Sequence, residues 1–227
     1  MEVELLFRPG YSAAHLTLAP NEHISAEAGA MIAMSGDLGI ETTTHQKSGG
    51  GVLSGLKRML TGESFFLNHF TAGANGGDLY LATTLPGDMN EQVLDGSSKL
   101  IVQAGSFVAC EQSVTMGMGW QGFTKALFSG ESWFWLELSG TGKLLLSSFG
   151  AIYPMEVNGE FVVDTGHIVA FDETLDFRIA KASRSLIGSF LGGEGFVCRF
   201  KGQGTVWCQS HNARNFGRTL GPKLRSR

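Results

Sequence analysis

Two short motifs, each present three times and always in the same order, constrain this chain more than any other feature. The first motif reads "AEAGAMIAMSGDLGIET", "VQAGSFVACEQSVTMGM" and "VDTGHIVAFDETLDFRI", and each copy contains a glycine before an alternating apolar stretch. The second motif follows downstream as "LTGESFFL", "FSGESWFW" and "LGGEGFVC". Because two motifs recur in one order, the chain is predicted to repeat one structural unit three times.

Most of each unit is predicted to be β-structure. The stretches "FVACEQSVTM" and "HIVAFDETLDFRI" alternate apolar and polar residues, which indicates half-buried strands. Downstream, "WFWLELSGTGKLLL" and "FVCRFKGQGTVWC" predict hairpins that reverse at their paired glycines, since glycine supplies the positive φ that a tight turn needs. A regular hairpin of the second kind would place Cys198 directly opposite Cys208.

Each unit also contains one short stretch of helical character, namely "LSGLKRML", "QGFTKALF" and "RSLIGSFL". Two helical turns are not stable alone in water, so each must pack on a sheet or on another unit. We therefore expect an all-β fold with short helices between strands. One domain over residues 1–211 would hold repeats at about 1–85, 86–150 and 151–211, followed by a basic C-terminal tail at 212–227.

The three units are expected to cover one another's edges. Each unit exposes strand edges and an apolar face, so closure around a pseudo-threefold axis would shield both. The predicted architecture is a β-prism or a variant of the double-stranded β-helix.

Three stretches resemble a known family: "SAEAGAMIAMSGDLGIET", "GLKRMLTGESFFLNHFTA" and "FVVDTGHIVAFDETLDF". They are similar to bacterial and archaeal uncharacterised proteins related to the fungal mitochondrial-biogenesis (altered inheritance of mitochondria) proteins, and the resemblance runs from about Met1 to Ser210. It implies a fold similar to that of the tryptophan RNA-binding attenuation protein, with three repeats and a tendency to oligomerise. It implies no established catalysis. The fungal relatives are linked to the organisation of the mitochondrial inner membrane, which favours a membrane-linked scaffold.

Composition bears on partners and compartment. Charged residues make up only 17% of the chain, although 16 Phe and 4 Trp must be covered, so a homo-oligomer is expected. A net charge of −4 gives no overall attraction for nucleic acid, so a nucleic-acid partner is not expected. The 3 cysteines form no C-x-x-C pair, no secretory signal is seen and no apolar run is long enough to span a membrane, so a cytoplasmic protein is expected. The basic tail is expected to be mobile; it either aids solubility or contacts an acidic partner or a membrane surface.

The candidate binding residues are the three repeated glutamates, Glu63, Glu131 and Glu194. Each carboxylate either seats its own turn by accepting backbone N–H groups, or the three lie around the pseudo-axis, where like charges in proximity would raise their pKa values or recruit a cation. The 6 histidines are isolated from one another in sequence and no nucleophile motif occurs, so we expect no metal, no cofactor and no catalytic residue.

These observations favour a non-enzymatic, oligomeric scaffold or interaction protein with a protein partner or a membrane surface. The alternative is a small-molecule binding protein or an enzyme that uses a cavity between the sheets.

Overall fold

The structure, a computed structural model, describes residues 1–44, 66–118, 135–181 and 196–224. Within these ranges the chain is β-structure with one short α-helix, so the all-β class is confirmed. The three predicted helical stretches, at 53–60, 121–128 and 184–191, lie outside the described residues.

The strands fall into three successive segments, here called the first (1–85), second (86–150) and third (151–211). The first contains β1 (Glu2–Leu6), β2 (Ala13–Leu18), β3 (His23–Glu27), β4 (Met31–Met34), β5 (Gly39–Thr44), β6 (Phe66–Thr71) and β7 (Gly77–Ala82). The second contains β8 (Met89–Asp95), β9 (Leu100–Gln103), β10 (Phe107–Glu111), β11 (Val114–Met118) and β12 (Trp135–Ser147). The third contains β13 (Ile152–Asp164), β14 (Ile168–Asp172), β15 (Asp176–Lys181) and β16 (Phe196–Gln209), and α1 (Ala213–Leu220) follows.

One order of antiparallel pairing recurs in all three segments. In the second segment, the first half of β12 pairs with β9 and β11, and its second half pairs with β8 and β10. In the third, the first half of β16 pairs with the end of β13 and with β15, and its second half pairs with the start of β13 and with β14. In the first, β6 pairs with β3 and β5, while β7 pairs with β2 and β4.

The two predicted hairpins are wrong. Instead of reversing, β12 and β16 each continue as one strand through their glycines. Gly140, Gly142 and Gly202 have φ values of +99°, +147° and +129°, which bend the strand. The bend carries each strand from one set of partners to another, as happens at the corners of packed sheets.

The cysteine pairing inferred from a hairpin is therefore also wrong. Cys198 lies opposite Val163 and Ile179, whereas Cys208 lies opposite Tyr153 and Ile168. Because β16 does not fold back on itself, the two thiols are separated along one strand. Both are free and buried.

A β-bulge also recurs, always two to four residues after the repeated glycine. The pairing register shifts between Met31 and Ala33, between Phe107 and Ala109, and between Ile168 and Ala170. A bulge bends its strand and increases the local twist. The same deformation at the same place in each segment makes residue-by-residue comparison of the segments possible.

Neighbouring segments are joined by strand pairing. Strand β3 pairs with β10 across the first join, and β9 pairs with β14 across the second. The third possible join, between β4 and the end of β13, is not formed: among the described residues each of these strands is paired on one side only. Strand pairing therefore does not close the three segments into the ring expected from the sequence.

Three clusters of buried apolar residues form the core. The first two extend across a join between segments, and the third is centred on one segment. The first cluster combines the first segment with Val108 and Ala109 of β10. The second combines the second segment with Val169 and Ala170 of β14, and the third is centred on Phe171 and its neighbours in the third segment. Burial of apolar surface thus holds adjacent segments together.

Part of the basic tail is helical. Residues Ala213–Leu220 form α1, whose N-terminus is capped by Asn212: its side-chain oxygen accepts hydrogen bonds from the N–H groups of Arg214 at 3.0 Å and Asn215 at 3.2 Å. The ring of Phe216 packs edge-on against Phe149 at 5.4 Å. In the part of the chain that the structure describes, no helix is long and apolar enough to span a membrane.

Candidate functional site

The linkers that follow the last strand of each segment run side by side. The N–H of Asp88 donates to the carbonyl of Gly150 at 2.8 Å, and the N–H of Gly150 donates to the carbonyl of Pro86 at 3.1 Å. The N–H of His211 in turn donates to the carbonyl of Phe149 at 3.1 Å. The backbone groups of the three linkers thus satisfy one another, although they lie outside the sheets.

Two glycines permit this close approach. A Cβ atom at Gly87 would lie 1.8 Å from the carbonyl oxygen of Ser148, and a Cβ at Gly150 would lie 2.2 Å from Oγ of Ser210. Gly150 also has a φ of +80°, which L-residues rarely adopt. The linkers can therefore pack together only because these positions carry no side chain.

A buried carboxylate fixes the linker between the first and second segments. Asp88 accepts hydrogen bonds from Nε of Arg8 at 2.8 Å, Nη2 of Arg8 at 2.9 Å, Oγ of Ser12 at 2.8 Å and the N–H of Met89 at 2.8 Å. Burial acts to raise the pKa of Asp88, but these hydrogen bonds outweigh it and hold the pKa below its ordinary value. The carboxylate stays ionised and has a structural role.

The linkers and the turns around the repeated glycines surround a cleft of about 620 Å³. All three segments contribute to its walls, and most of the lining side chains are polar. They are Glu27, Thr83, Thr84, Leu85, Gln103, Gly105, Ser106, Ser147, Ser148, Phe149, Gly166, Gln209, Asn212, Ala213 and Arg214. Concave sites with a few convergent polar groups are where proteins usually bind small molecules.

Glu27 is the ionisable group in this cleft whose pKa is most displaced. Burial raises its pKa to about 7, and no described residue donates a hydrogen bond to its carboxylate. Gln103 and Asp164 occupy the same place in the other segments, two residues before the repeated glycine. Both are hydrogen-bonded: Gln103 accepts from Oγ of Ser106 at 3.3 Å, and Asp164 accepts from the N–H of Gly166 at 2.7 Å. Glu27 is thus the unusual member of the three.

Glu27 was not among the residues predicted from the sequence. The polar residue two positions before each repeated glycine is glutamate, glutamine and aspartate in turn, and only the fold shows that Glu27 and Gln103 line one cleft. The residues that were singled out, Glu63, Glu131 and Glu194, all lie outside the described residues. Their role in binding stays a prediction.

The described residues contain no set of side chains that resembles a hydrolytic site. Oγ of Ser210 lies 2.9 Å from Nδ1 of His211, and Oγ of Ser25 lies 2.8 Å from Nδ1 of His69. The other ring nitrogen of His69 bonds Oγ1 of Thr43 and not a carboxylate. A catalytic triad needs a third group that orients the histidine, so these contacts are better explained as local and cross-strand hydrogen bonds.

The described thiols and potential metal ligands likewise do not form a catalytic site. Burial raises the pKa of Cys110 and of Cys198 to about 12 and that of Cys208 to about 11, which leaves them protonated and weakly nucleophilic. Within the described ranges, no three His, Cys, Asp or Glu side chains are grouped closely enough to hold a metal ion.

Comparison with known proteins relates this fold to a family. Residues 3–211 match the family described as mitochondrial biogenesis AIM24. An uncharacterised protein of Streptococcus pyogenes serotype M6 is 32% identical over 197 residues, which are 85% of this chain and 78% of that protein. The X-ray crystal structure of a protein from Streptococcus pyogenes covers 98% of this chain and 99% of its own, with a TM-score of 0.80 and 26% identity. On the evidence of the family match and this relative, the chain belongs to the mitochondrial biogenesis AIM24 family.

Proposed function

We propose that this protein is a non-enzymatic scaffold that self-associates through the open edges of its sheets. One observation carries the proposal: apolar side chains are exposed on β4 and on the end of β13, two strands that are each paired on one side only within the described residues. Ile32 on β4 is 57% exposed and Val162 on β13 is 44% exposed, and each has an exposed apolar neighbour, Met31 and Phe161. An unpaired strand edge that carries apolar side chains is a template for another chain.

The proposal includes a finer description of the fold. We infer that the three segments are related β units of the β-prism or double-stranded β-helix type, with a pseudo-threefold relation and a fold similar to that of the tryptophan RNA-binding attenuation protein. The recurring order of strand pairing and the recurring bulge support this description. Superposition of the three segments on one another provides the test, and segments that do not superpose would contradict it.

Solution mass tests self-association directly. Light scattering on a size-exclusion column, run over a range of protein concentrations, should give a mass that is a multiple of one chain. The exposed apolar edges predict that this mass persists at high salt, because burial of apolar surface is not screened by ions. A single-chain mass at every concentration would contradict the scaffold.

The membrane version of the proposal concerns α1. Its two arginines, Arg214 and Arg218, lie one turn apart, and its exposed apolar residues Phe216 and Leu220 are also one turn apart on another face. A helix of this kind can lie on an anionic surface, so we propose a cytoplasmic protein that contacts a membrane peripherally. Flotation with anionic and with neutral vesicles tests this; equal recovery in both would contradict it.

A second candidate function is small-molecule binding in the cleft. The observation that favours it is Glu27, a carboxylate with a pKa of about 7 in a polar cleft of about 620 Å³. A ligand that occupies the cleft should raise the melting temperature of the protein, and Glu27→Gln should abolish that rise. A screen of metabolite mixtures by thermal shift, with Glu27→Gln as the control, is the experiment.

A further inference from the structure

We propose that copies of this chain join head to tail, by antiparallel pairing of the end of β13 in one copy with β4 of the next copy. This inference rests on the proposed self-association and specifies its interface. We compare the two joins between segments, β3 with β10 and β9 with β14, with the open edges of β4 and β13.

The two internal joins share one register. In the first, Ala26 lies opposite Ala109, and in the second, Val102 lies opposite Ala170. Counted from the repeated glycines, each join pairs the residue three before one glycine with the residue four after the next glycine. The same rule applied to the open edges pairs Val163 with Ala33.

The neighbouring pairs follow from antiparallel geometry. Beyond Ala26 and Ala109, the first join pairs Ser25 with Cys110, and the second join continues in the same way with Ile101 and Phe171. The open edges would therefore pair Val162 with Met34. One register, fixed residue by residue, is what makes the inference testable.

Burial at equivalent positions supports the join. Ile32 is largely exposed, whereas the residues at its position in the other segments, Val108 and Val169, are completely buried. Val162 is also exposed, whereas Ile101, at the same position in the second segment, is almost completely buried. The side chains at the open edges are thus of the type that the internal joins cover with a neighbouring segment.

The core shows the same difference. The first cluster takes Val108 and Ala109 from the second segment, and the second cluster takes Val169 and Ala170 from the third. Among the described residues, the first cluster contains no residue of the third segment and the third cluster contains none of the first, so no core spans the open edges. A second copy would supply the missing neighbour, because its β4 would pair with the end of β13 and extend the sheet that ends there.

The composition of the edge also favours a partner strand. Proteins usually protect an exposed edge strand with lysine, proline or an inward charge. Strand β4 reads "MIAM" and carries no charge at all. The facing stretch "FVV" of β13 is likewise uncharged, with Glu160 and Asp164 only at its ends. These edges lack the features that prevent pairing.

The open edges belong to different strands, so the contact is heterologous. A heterologous contact builds a closed ring if the rotation between copies divides a full turn, and a filament if it does not. The number of copies is set by that rotation, and it is read from the solution mass.

Cysteine cross-linking tests the register between chains. Met34→Cys and Val162→Cys are made as separate variants, given different affinity tags and co-expressed. Mild oxidation should then yield a cross-linked pair that carries both tags, whereas either variant alone should yield none, because a head-to-tail contact places unlike residues together. The three native thiols are buried and provide no competing reaction.

A second pair of variants is needed because a disulfide forms only at suitable Cα separations. Adjacent pairs along an antiparallel ladder alternate between close and wide Cα separations, and a disulfide forms best at one of them. Ala33→Cys with Val163→Cys is therefore tested beside Met34→Cys with Val162→Cys. At least one of the two combinations should cross-link; failure of both would overturn the proposed register.

A charge at the edge tests the interface without cross-linking. Val162→Lys should reduce the solution mass to that of a single chain and leave the circular dichroism spectrum unchanged. The matched control is Val93→Lys, because Val93 is another valine exposed on a strand, at 65%, but lies on β8, outside the proposed join. The control should keep the mass of the wild-type protein.

The outcomes separate this inference from the function on which it rests. A wild-type oligomer that survives Val162→Lys and forms no cross-link would overturn the head-to-tail join but leave the scaffold standing. A wild-type monomer would overturn both. If a double variant with Met34→Cys and Val162→Cys forms its disulfide within one chain, the segments close on themselves and the join between copies is wrong.

Discussion

Removal of the Arg8 guanidinium should destabilise the fold far more than removal of an equally exposed arginine elsewhere. The perturbation is Arg8→Met, which retains the apolar stem but leaves the carboxylate of Asp88 buried without its charged partner. The matched control is Arg199→Met. Arg8 is 46% exposed and Arg199 is 52% exposed, but the partner of Arg8 is buried whereas the partner of Arg199, Glu160, is exposed.

The magnitude follows from that difference in burial. Breaking a buried ion pair by removing one partner costs about 3–5 kcal/mol. Two features of this site lower the figure: water can reach the half-exposed Arg8 position, and Asp88 keeps its hydrogen bonds from Ser12 and Met89. We expect a loss of about 2–3 kcal/mol for Arg8→Met. Arg199→Met should cost about 0–1 kcal/mol, as exposed pairs do.

The dependence on pH has a definite sign. The folded-state pKa of Asp88 lies below its ordinary value of 3.8, so its contribution to stability is present above about pH 4 and is lost as the pH falls through the folded-state pKa. In Arg8→Met the carboxyl can take up a proton and so relieve the unpaired charge. The difference between the variant and the wild-type protein should therefore be large at pH 7 and should shrink towards pH 4.

Urea unfolding followed by circular dichroism measures both quantities. Each variant is unfolded at pH 7 and pH 4.5 beside the wild-type protein, and the free energies of unfolding are compared. For a chain of this size the expected loss corresponds to a fall of about 4–12 °C in melting temperature. Equal losses for Arg8→Met and Arg199→Met would refute the argument that burial of the partner decides the cost.

Three further predictions concern the linkers, the cleft and the thiols. Gly87→Ala should cost about 1–3 kcal/mol of unfolding free energy, because its Cβ would meet the carbonyl of Ser148. Gly105→Ala should be nearly neutral, because nothing lies within 4 Å of a Cβ there. Urea unfolding measures both losses, and equal losses would contradict the packing argument. The folded-state pKa of Glu27, about 7, exceeds its ordinary 4.5, so wild-type stability should fall by about 1–3 kcal/mol as pH rises from 5 to 8, and Glu27→Gln should remove that fall. The three buried thiols should resist iodoacetamide at pH 8 until urea unfolds the protein, as mass spectrometry would show; rapid labelling of the native protein would contradict their burial.

Local sequence was sufficient to predict a strand after each repeated glycine. The glycine before each alternating stretch precedes a strand in every segment: β4 after Gly29, β10 after Gly105 and β14 after Gly166. The all-β class follows from the same patterns, because β-branched and aromatic residues in alternation suit a pleated surface. The three repeated glutamates lie outside the described residues, so their prediction stands untested.

The hairpin error shows what a local pattern lacks. A glycine pair between two apolar runs is compatible with a reversal and with a bend, since both require a positive φ. In β12 and β16 the bend occurs because the two halves of each strand pair with different neighbours: β9 and β11 or β8 and β10 along β12, and β15 or β14 beside β13 along β16. Partners distant in sequence decide between the two outcomes.

The candidate cleft was missed for a related reason. Glu27 has an ordinary local context, and nothing near it in sequence indicates a displaced pKa. Its environment is made by linkers from two other segments, which lie far along the chain. Burial of a carboxylate is a property of the assembled fold and not of its immediate neighbours.

By itself, then, the sequence determined the all-β class and the strand that follows each repeated glycine, since strand propensity and the freedom of glycine are local properties. Only the tertiary structure decided what became of the equivalent strands β4, β10 and β14. The last two are buried over four consecutive residues, while β4 is largely exposed. The physical reason is that burial of a strand requires a neighbour on each side, and the described residues supply both neighbours to β10 and β14 but only one to β4.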